Sequence, residues 1–263
     1  MRRIVVIGTA LAVLIGAVSA YAATSGLNTY SAKVSFSPNK AGSGSAPSAI
    51  SFTEKYTAGG TSGNRTAPLT GIKTTIYGLV SNWKSFPTCS EAKIAAAHSD
   101  TSCPKGAKIA SGGITAILGP VSAPSASAPG TAPCDPVLDV WNGGHGKAVF
   151  FFVDPSPTTC AGLTTGAVPP YTGTIKTVGK NLVLDTPIPS YVSFPLTGVE
   201  GSLTSLTLHY AKLTNTVKSK SVAYNASTGC KAGKRPYSVT FTAESGPGAA
   251  PQSSTVSGTQ KCS

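Results

Sequence analysis

Hydrophobic and polar residues alternate along most of the chain beyond residue 23. In residues 30–37, for example, the apolar positions are 30, 32, 34 and 36, and serine or lysine occupies the positions between them. A period of two is typical of a strand with one buried face. The pattern recurs about ten times, and the predicted strands cover residues 30–37, 50–56, 72–80, 114–118, 137–141, 148–153, 172–178, 182–184, 206–210, 222–224 and 237–243.

The clearest hairpin signal lies in the middle of the chain. Residues 142–146 (Asn-Gly-Gly-His-Gly) separate the apolar runs Val137–Trp141 and Ala148–Val153. Such turn residues between two β patterns predict an antiparallel hairpin. Phe150–Phe152 is apolar at every position, so we expect both faces of this strand to be buried in the centre of a sheet.

Later in the chain, Gly179-Lys180 predicts a second hairpin. Pro187, Pro189 and Pro195 interrupt the segment that follows. Because proline cannot donate to a β ladder, this segment is predicted to be an edge or a crossover.

One short helix is predicted near the first two cysteines. Thr88-Cys89-Ser90-Glu91 matches a capping box and begins a helical pattern from about Cys89 to His98. So short a helix is unstable alone, since about 12 to 15 residues are marginal in water. A Cys89–Cys103 disulfide would clamp it and contribute about 3 kcal/mol.

These elements predict an all-β fold, an antiparallel β-sandwich of the immunoglobulin-like or jelly-roll-like kind, with one short helix and three disulfides. Residues 23–263 are predicted to form one such domain, with a Gly/Pro/Ser-rich tail from about residue 245 that only Cys262 would keep ordered. We interpret the low-complexity segment Val121–Pro133 as a surface loop. The alternative is that it separates two small sandwiches.

Residues 1–22 read as a secretory signal peptide. Met1–Arg3 is positively charged, Ile4–Val18 is apolar, and Ala20-Tyr21-Ala22 resembles a cleavage site. A retained membrane anchor is the alternative, but the apolar run is shorter than the ~20 residues that span a bilayer. No later run is apolar enough to span, so we expect a secreted protein, extracellular or at the cell surface.

The six cysteines favour three disulfides in an oxidising compartment. Fifteen connectivities are possible, and we predict pairing of neighbours in order. A metal site is disfavoured because no Cys-x-x-Cys pair occurs and the three histidines are scattered, so no cofactor is expected. The cysteines are Cys89, Cys103, Cys134, Cys160, Cys230 and Cys262.

Charge and aromatic residues suggest ligand classes. The net charge of +12 falls to about +10 without the signal peptide, which favours an anionic cell-wall polymer or a glycan over a specific nucleic acid. Charged residues make up only 11% of the chain, so a scattered lysine surface is the simpler alternative. Aromatic rings could stack on sugars, although core packing is their usual role. The candidates are Trp83, Trp141, Lys212, Lys218, Lys220, Lys231, Lys234 and Arg235, with Tyr191, Tyr210, Tyr224 and Tyr237 as further exposed-ring candidates.

Catalytic signals are weak, and no catalytic residue is predicted. Ser90–Lys93 and Ser102–Lys105 have the Ser-x-x-Lys spacing of acyl transfer, but the partner motifs of that chemistry are missing. Among nine acidic residues, Glu54 is unusual because it interrupts an apolar strand face. Asp139 and His145 flank the central hairpin and could meet across it.

Several short motifs resemble a group of uncharacterised secreted proteins from actinobacterial genomes. They are Arg65-Thr66-Ala67-Pro68-Leu69, Phe86-Pro87-Thr88-Cys89, Ser102-Cys103-Pro104 and Ser227-Thr228-Gly229-Cys230. The resemblance implies export and a β-rich fold, and it transfers no functional residue. The leading hypothesis is a non-enzymatic extracellular interaction module. The alternatives are a secreted hydrolase acting on polysaccharide or cell-wall material, and a binder of anionic or glycan polymers through a lysine-rich face.

Overall fold

The computed structural model describes residues 22–154, 159–160 and 168–263. The predicted signal peptide therefore lies outside the described residues, except for Ala22. No helix within the described ranges is long and apolar enough to cross a membrane. The strands are β1 (Ala23–Thr24), β2 (Asn28–Ser37), β3 (Ser48–Ala49), β4 (Ser51–Gly60), β5 (Leu69–Tyr77), β6 (Leu79–Ser81), β7 (Lys108–Pro120), β8 (Ala132–Cys134), β9 (Val137–Gly144), β10 (Lys147–Val153), β11 (Tyr171–Val178), β12 (Asn181–Pro187), β13 (Val199–Tyr210), β14 (Thr214–Val217), β15 (Lys220–Ala223), β16 (Asn225–Ser227), β17 (Lys234–Ala243) and β18 (Gln252–Lys261); the helices are α1 (Glu91–Ala97) and α2 (Ser190–Ser193).

One large antiparallel sheet dominates the fold, in the order β1-β2-β4-β13-β7-β9-β10-β11-β12-β5-β17-β18, with β8 paired to β7. The sheet curls until β18 packs beside β2. The Phe36 amide donates a hydrogen bond to the Gln260 side chain across this seam, at 3.2 Å. The result is a nearly closed barrel.

The all-β prediction is confirmed, but the architecture is not clearly the predicted sandwich. Alternation identifies the buried face of each strand, and a barrel buries that face as a sandwich does, since it is one sheet closed on itself. The main sheet also continues across residues 121–133, because β7 before this segment pairs with β9 and β13 after it. Two separate sandwiches are therefore not formed.

The central hairpin has the predicted form. β9 pairs with β10, and β10 lies between β9 and β11 within the sheet. Phe150 and Phe152 face the barrel interior, whereas Phe151 belongs to a second apolar cluster on the outer face with Trp141. The uninterrupted apolar run is thus explained by burial on both faces.

The helix α1 covers this outer cluster through its buried residue Ile94. Its N-cap is Ser90, whose hydroxyl accepts a hydrogen bond from the Lys93 amide, so the predicted capping by Thr88 is wrong. The helix ends at His98, which has a left-handed conformation. The Cys89–Cys103 disulfide clamps it as predicted.

All three disulfides join neighbouring cysteines in chain order, which confirms the predicted connectivity; the other two are Cys134–Cys160 and Cys230–Cys262. The C-terminal tail was predicted to be kept in order by Cys262 alone, and the structure adds a second source of order beyond residue 251. Residues 252–261 form β18, which pairs along its whole length with β17. Its many polar residues and its glycine are weak markers of a strand, and the pairing with β17 supplies the order.

The proline-rich segment after β12 was predicted to be an edge or a crossover. It is a crossover. In the sheet, β12 and β13 are separated by four strands. The chain between them therefore passes over one end of the barrel, and it carries the single turn of α2. At the opposite end, a small sheet of β3, β16 and β6 packs beside the barrel, and β14 pairs with β15 as a separate hairpin.

Candidate functional site: an apolar cavity in the barrel

The barrel encloses a cavity of about 530 Å³. Its walls are inward-facing side chains of eight consecutive strands of the sheet, from β4 through β13 and β10 to β5. This volume falls within the roughly 300–1,000 Å³ that is typical of sites for small molecules. Representative lining residues are Leu69, Ile72, Leu138, Phe150, Leu184 and Leu208.

The cavity exists because only part of the barrel is filled by side chains. Near β2 and β17, Tyr30 stacks on Phe241 with ring centroids 4.4 Å apart, and the interior is packed. Towards β7 the inward residues are Ile114, Ala116 and Leu118, the face predicted from alternation. These three residues are only partly buried, because they face the cavity.

The crossover segment lies over one end of the cavity. Ser193 in α2 is buried, and its hydroxyl donates a hydrogen bond to the Leu69 carbonyl at 2.5 Å. Tyr191 and Leu196 line the cavity and are also exposed, with 39% and 53% of their surface accessible. An apolar rim at this end therefore joins the cavity to solvent.

Glu54 is the one charged residue among the described residues that line the cavity. On β4 it lies opposite Val34 of β2 and Leu208 of β13, and only 4% of it is exposed. Its Oε1 atom is shielded from water and has no hydrogen-bond partner. The pKa of Glu54 is raised to about 7. Burial is the main cause, and hydrogen bonds from Tyr56 and Thr74 offset part of the increase.

Hydroxyl groups surround this carboxyl group. The Tyr56 hydroxyl lies 2.8 Å from that of Thr74. Burial, with the nearby Glu54 as the second cause, raises the pKa of Tyr56 and of Tyr210 well above the ordinary value. The cavity walls are mainly apolar, and among the polar side chains that line them are Glu54, Tyr56 and Thr74, which we call the Glu54 triad.

The two tryptophans do not form an exposed aromatic platform. Trp141 is buried under α1, where its ring Nε1 donates to Asp100 at 3.2 Å. Trp83 is partly buried and packs against the main core. Tyr210, Tyr224 and Tyr237 are buried too. Core packing, the alternative to sugar stacking, therefore accounts for these rings, and Tyr191 is the exception.

Five of the six candidate basic residues are exposed. Lys212, Lys218 and Lys220 lie in or beside the β14–β15 hairpin, and Lys231 and Lys234 lie at the start of β17. In the described part of the chain, no acidic side chain forms a salt bridge with any of these five.

Arg235 does not belong to this basic surface, so its predicted role there is wrong. The side chain is fully buried and donates to the carbonyl groups of Tyr77, Gly78, Gly229 and Lys40. Because Arg235 lies on β17 with its side chain on the inward face, strand alternation takes it away from its exposed neighbour Lys234. Burial lowers its pKa to about 10.

The weak catalytic motifs occupy structural positions. Ser90 caps α1, and Lys93 Nζ donates to the Ser102 carbonyl at 2.7 Å. Asp139 forms a salt bridge with Lys108, while His145 packs beside Trp83 with ring centroids 5.8 Å apart. The residues described contain no group of three or more His, Cys, Asp or Glu side chains placed to hold a metal ion.

No protein-family model matches the chain, and comparison with curated proteins and with solved structures likewise gives no match. The cavity itself was missed at the sequence level, since its lining residues come from strands that are distant along the chain. Glu54 was the one signal, as an acidic residue on an apolar strand face.

Proposed function

We propose that this protein is an exported, non-enzymatic binding module that holds a small apolar molecule inside its barrel. The observation that carries the proposal is the 530 Å³ cavity with apolar walls and the buried Glu54 triad. Cavities with apolar linings and a few polar groups are the usual form of small-molecule sites, because the walls provide affinity and the polar groups provide orientation.

Binding is favoured over hydrolysis by the composition of the cavity lining. Glycoside hydrolases generally use two carboxyl groups on either side of the scissile bond. Among the described lining residues, Glu54 is the one carboxyl group. Its neighbours are the hydroxyl groups of Tyr56 and Thr74, and no second carboxyl group, histidine or lysine of the described chain lines the cavity to complete a catalytic set.

Export is supported by the pattern of residues 1–22 and by the three disulfides, which persist in oxidising compartments. Intact-mass measurement on protein collected outside the producing cells tests this. We expect cleavage near Ala22 and no free thiol. Uncleaved protein confined to the cytoplasm would contradict export. It would not contradict the cavity proposal, which is tested separately.

The cavity proposal is tested by titrating N-phenylnaphthylamine, an apolar probe that fluoresces in apolar sites, into the protein with its disulfides formed. Ala116→Trp places a large ring in the cavity and is expected to weaken binding at least ten-fold. Thr115→Trp is the matched control, because the adjacent residue is exposed and faces outward. Equal probe binding by both variants would overturn the proposal.

A second candidate function is binding of an anionic polymer. It rests on the exposed lysines of the β14–β15 hairpin and of the start of β17, which form no salt bridge within the described residues. Such binding would be weak and sensitive to salt, because exposed charges are screened over about 8 Å at physiological ionic strength.

A further inference from the structure

We infer that the ligand of the cavity carries a hydrogen-bond-donating head group, a hydroxyl or an amine, and that Glu54 accepts this hydrogen bond. The inference rests on the proposed function and specifies the chemical class of the ligand. The remainder of the ligand is an apolar chain or ring system that fills the cavity and contacts its apolar walls.

A count of donors around Glu54 leads to this inference. Tyr56 and Thr74 have one hydroxyl proton each, and one of the two protons is used in the hydrogen bond between them. The other can be donated to Glu54, whose pKa both hydroxyls lower. A carboxylate has two oxygens and about four acceptor positions. Oε1 consequently remains without a donor.

An unsatisfied buried acceptor is costly, and native proteins contain few of them. Glu54 lines the cavity, and no lysine, arginine or histidine of the described chain does so. The titratable groups that face it are the phenols of Tyr56 and Tyr210. Neither phenol donates a hydrogen bond to Oε1, which has no partner. The donor that Oε1 lacks can therefore be supplied from the cavity.

Oε1 is shielded in its present orientation, so a ligand reaches it only when the carboxyl group turns. The last torsion of a glutamate side chain has a broad, roughly two-fold energy profile. A small rotation can turn Oε1 towards the cavity without displacing β4. A head group at this point would be surrounded by apolar walls, so its hydrogen bond would not compete with bulk water.

The unpaired Oε1 predicts an order of binding affinity among ligands with different head groups. An alcohol or an amine supplies the missing donor, whereas a methyl ether of equal length supplies none and leaves Oε1 unpaired. A fatty acid at pH 8 would bring a second carboxylate next to Glu54, and like charges at close range repel. We expect alcohol and amine to bind about ten-fold or more tightly than the ether, and the carboxylate to bind most weakly.

The experiment measures displacement of N-phenylnaphthylamine by dodecanol, dodecylamine, dodecyl methyl ether and dodecanoate at pH 8. Wild-type protein is compared with Glu54→Gln, which keeps one acceptor oxygen, and Glu54→Leu, which keeps none. The expected result is a donor preference in the wild type that persists in Glu54→Gln and is lost in Glu54→Leu. Circular dichroism checks that the variants are folded.

Equal affinities of the wild type for alcohol and ether would overturn this inference even if neither variant folds. A donor preference that survives in folded Glu54→Leu would also overturn it, since another group would then accept the hydrogen bond. Both results leave probe binding in the cavity intact. If no compound and no probe binds the wild type, the proposed function itself fails, so the two failures are distinguishable.

Discussion

The hydroxyl of Tyr56 on β4 lies 2.8 Å from the hydroxyl of Thr74 on β5, and the two strands are not neighbours in the sheet. The contact therefore crosses the barrel interior. It connects opposite walls of the cavity next to Glu54. The Glu54 triad therefore helps to stabilise the barrel and is also part of the candidate site.

Loss of this contact is expected to destabilise the barrel. Tyr56→Phe removes one hydroxyl and leaves Thr74 and Glu54 with one fewer partner, so we expect a loss of about 1–3 kcal/mol in the free energy of unfolding. Denaturant titration measures it. The exposed pair Thr240 and Thr255 has a similar hydroxyl contact at 2.8 Å, and Thr240→Val is the control with an expected change within about 0.5 kcal/mol. Equal losses would contradict a special role for the buried contact.

Glu54 is expected to make stability depend on pH. Above its ordinary pKa of 4.5 the unfolded chain loses the Glu54 proton, whereas the folded protein keeps it up to about pH 7. Because the folded state binds more protons in this interval, stability should fall as pH rises through it, by about 3 kcal/mol in total. The difference in unfolding free energy between wild type and Glu54→Gln isolates this contribution. A difference that is constant from pH 4.5 to 7 would contradict a raised pKa.

Arg235 is expected to be essential for stability. Its guanidinium group bonds several carbonyl oxygens near the Cys230–Cys262 disulfide and also contacts the Phe36 ring at 5.3 Å. Arg235→Met would leave these buried acceptors unpaired, with an expected cost of about 3 kcal/mol or more. Thermal unfolding compares it with Lys234→Met, whose side chain is exposed. Similar midpoints for the two variants would argue against the buried network.

The Cys89–Cys103 disulfide is expected to support α1 without affecting the cavity. Replacing both cysteines by alanine should cost about 3 kcal/mol by the chain-entropy model and should speed hydrogen exchange in residues 91–97. Probe binding should be unchanged, because α1 covers the outer face of the sheet. Loss of probe binding in a folded double variant would show that the outer cluster shapes the cavity.

Polymer binding through the hairpin lysines makes a separate prediction. Lys218→Asn with Lys220→Gln should reduce retention on an anionic cell-wall polymer at low salt, and asparagine suits the positive φ of 48° at position 218. Lys33→Gln with Lys55→Gln removes the same charge from an exposed cross-strand pair on β2 and β4. Equal retention of both double variants, or retention that ignores salt, would rule out a specific lysine-rich site.

Local patterns predicted the elements that depend on neighbouring residues. The central hairpin, the two-sided burial at Phe150–Phe152 and the helix after Cys89 were predicted because alternation, turn residues and capping act within a few positions. Arg235 shows the limit of such reasoning. Its neighbours Lys231 and Lys234 are exposed, and the partners that make its burial possible, such as Tyr77 and Lys40, are about 160 to 195 residues away along the chain.

The amino-acid sequence alone determined that the chain is rich in strands, that its six cysteines can form three disulfides, and that Glu54 is out of place on an apolar face. The tertiary structure decided that one sheet closes on itself, that its interior is only partly filled, and that Glu54 meets Tyr56 and Thr74 there. The physical reason is that alternation specifies which side of a strand avoids water, whereas the curvature of the sheet and the residual volume depend on how all the strands pack together.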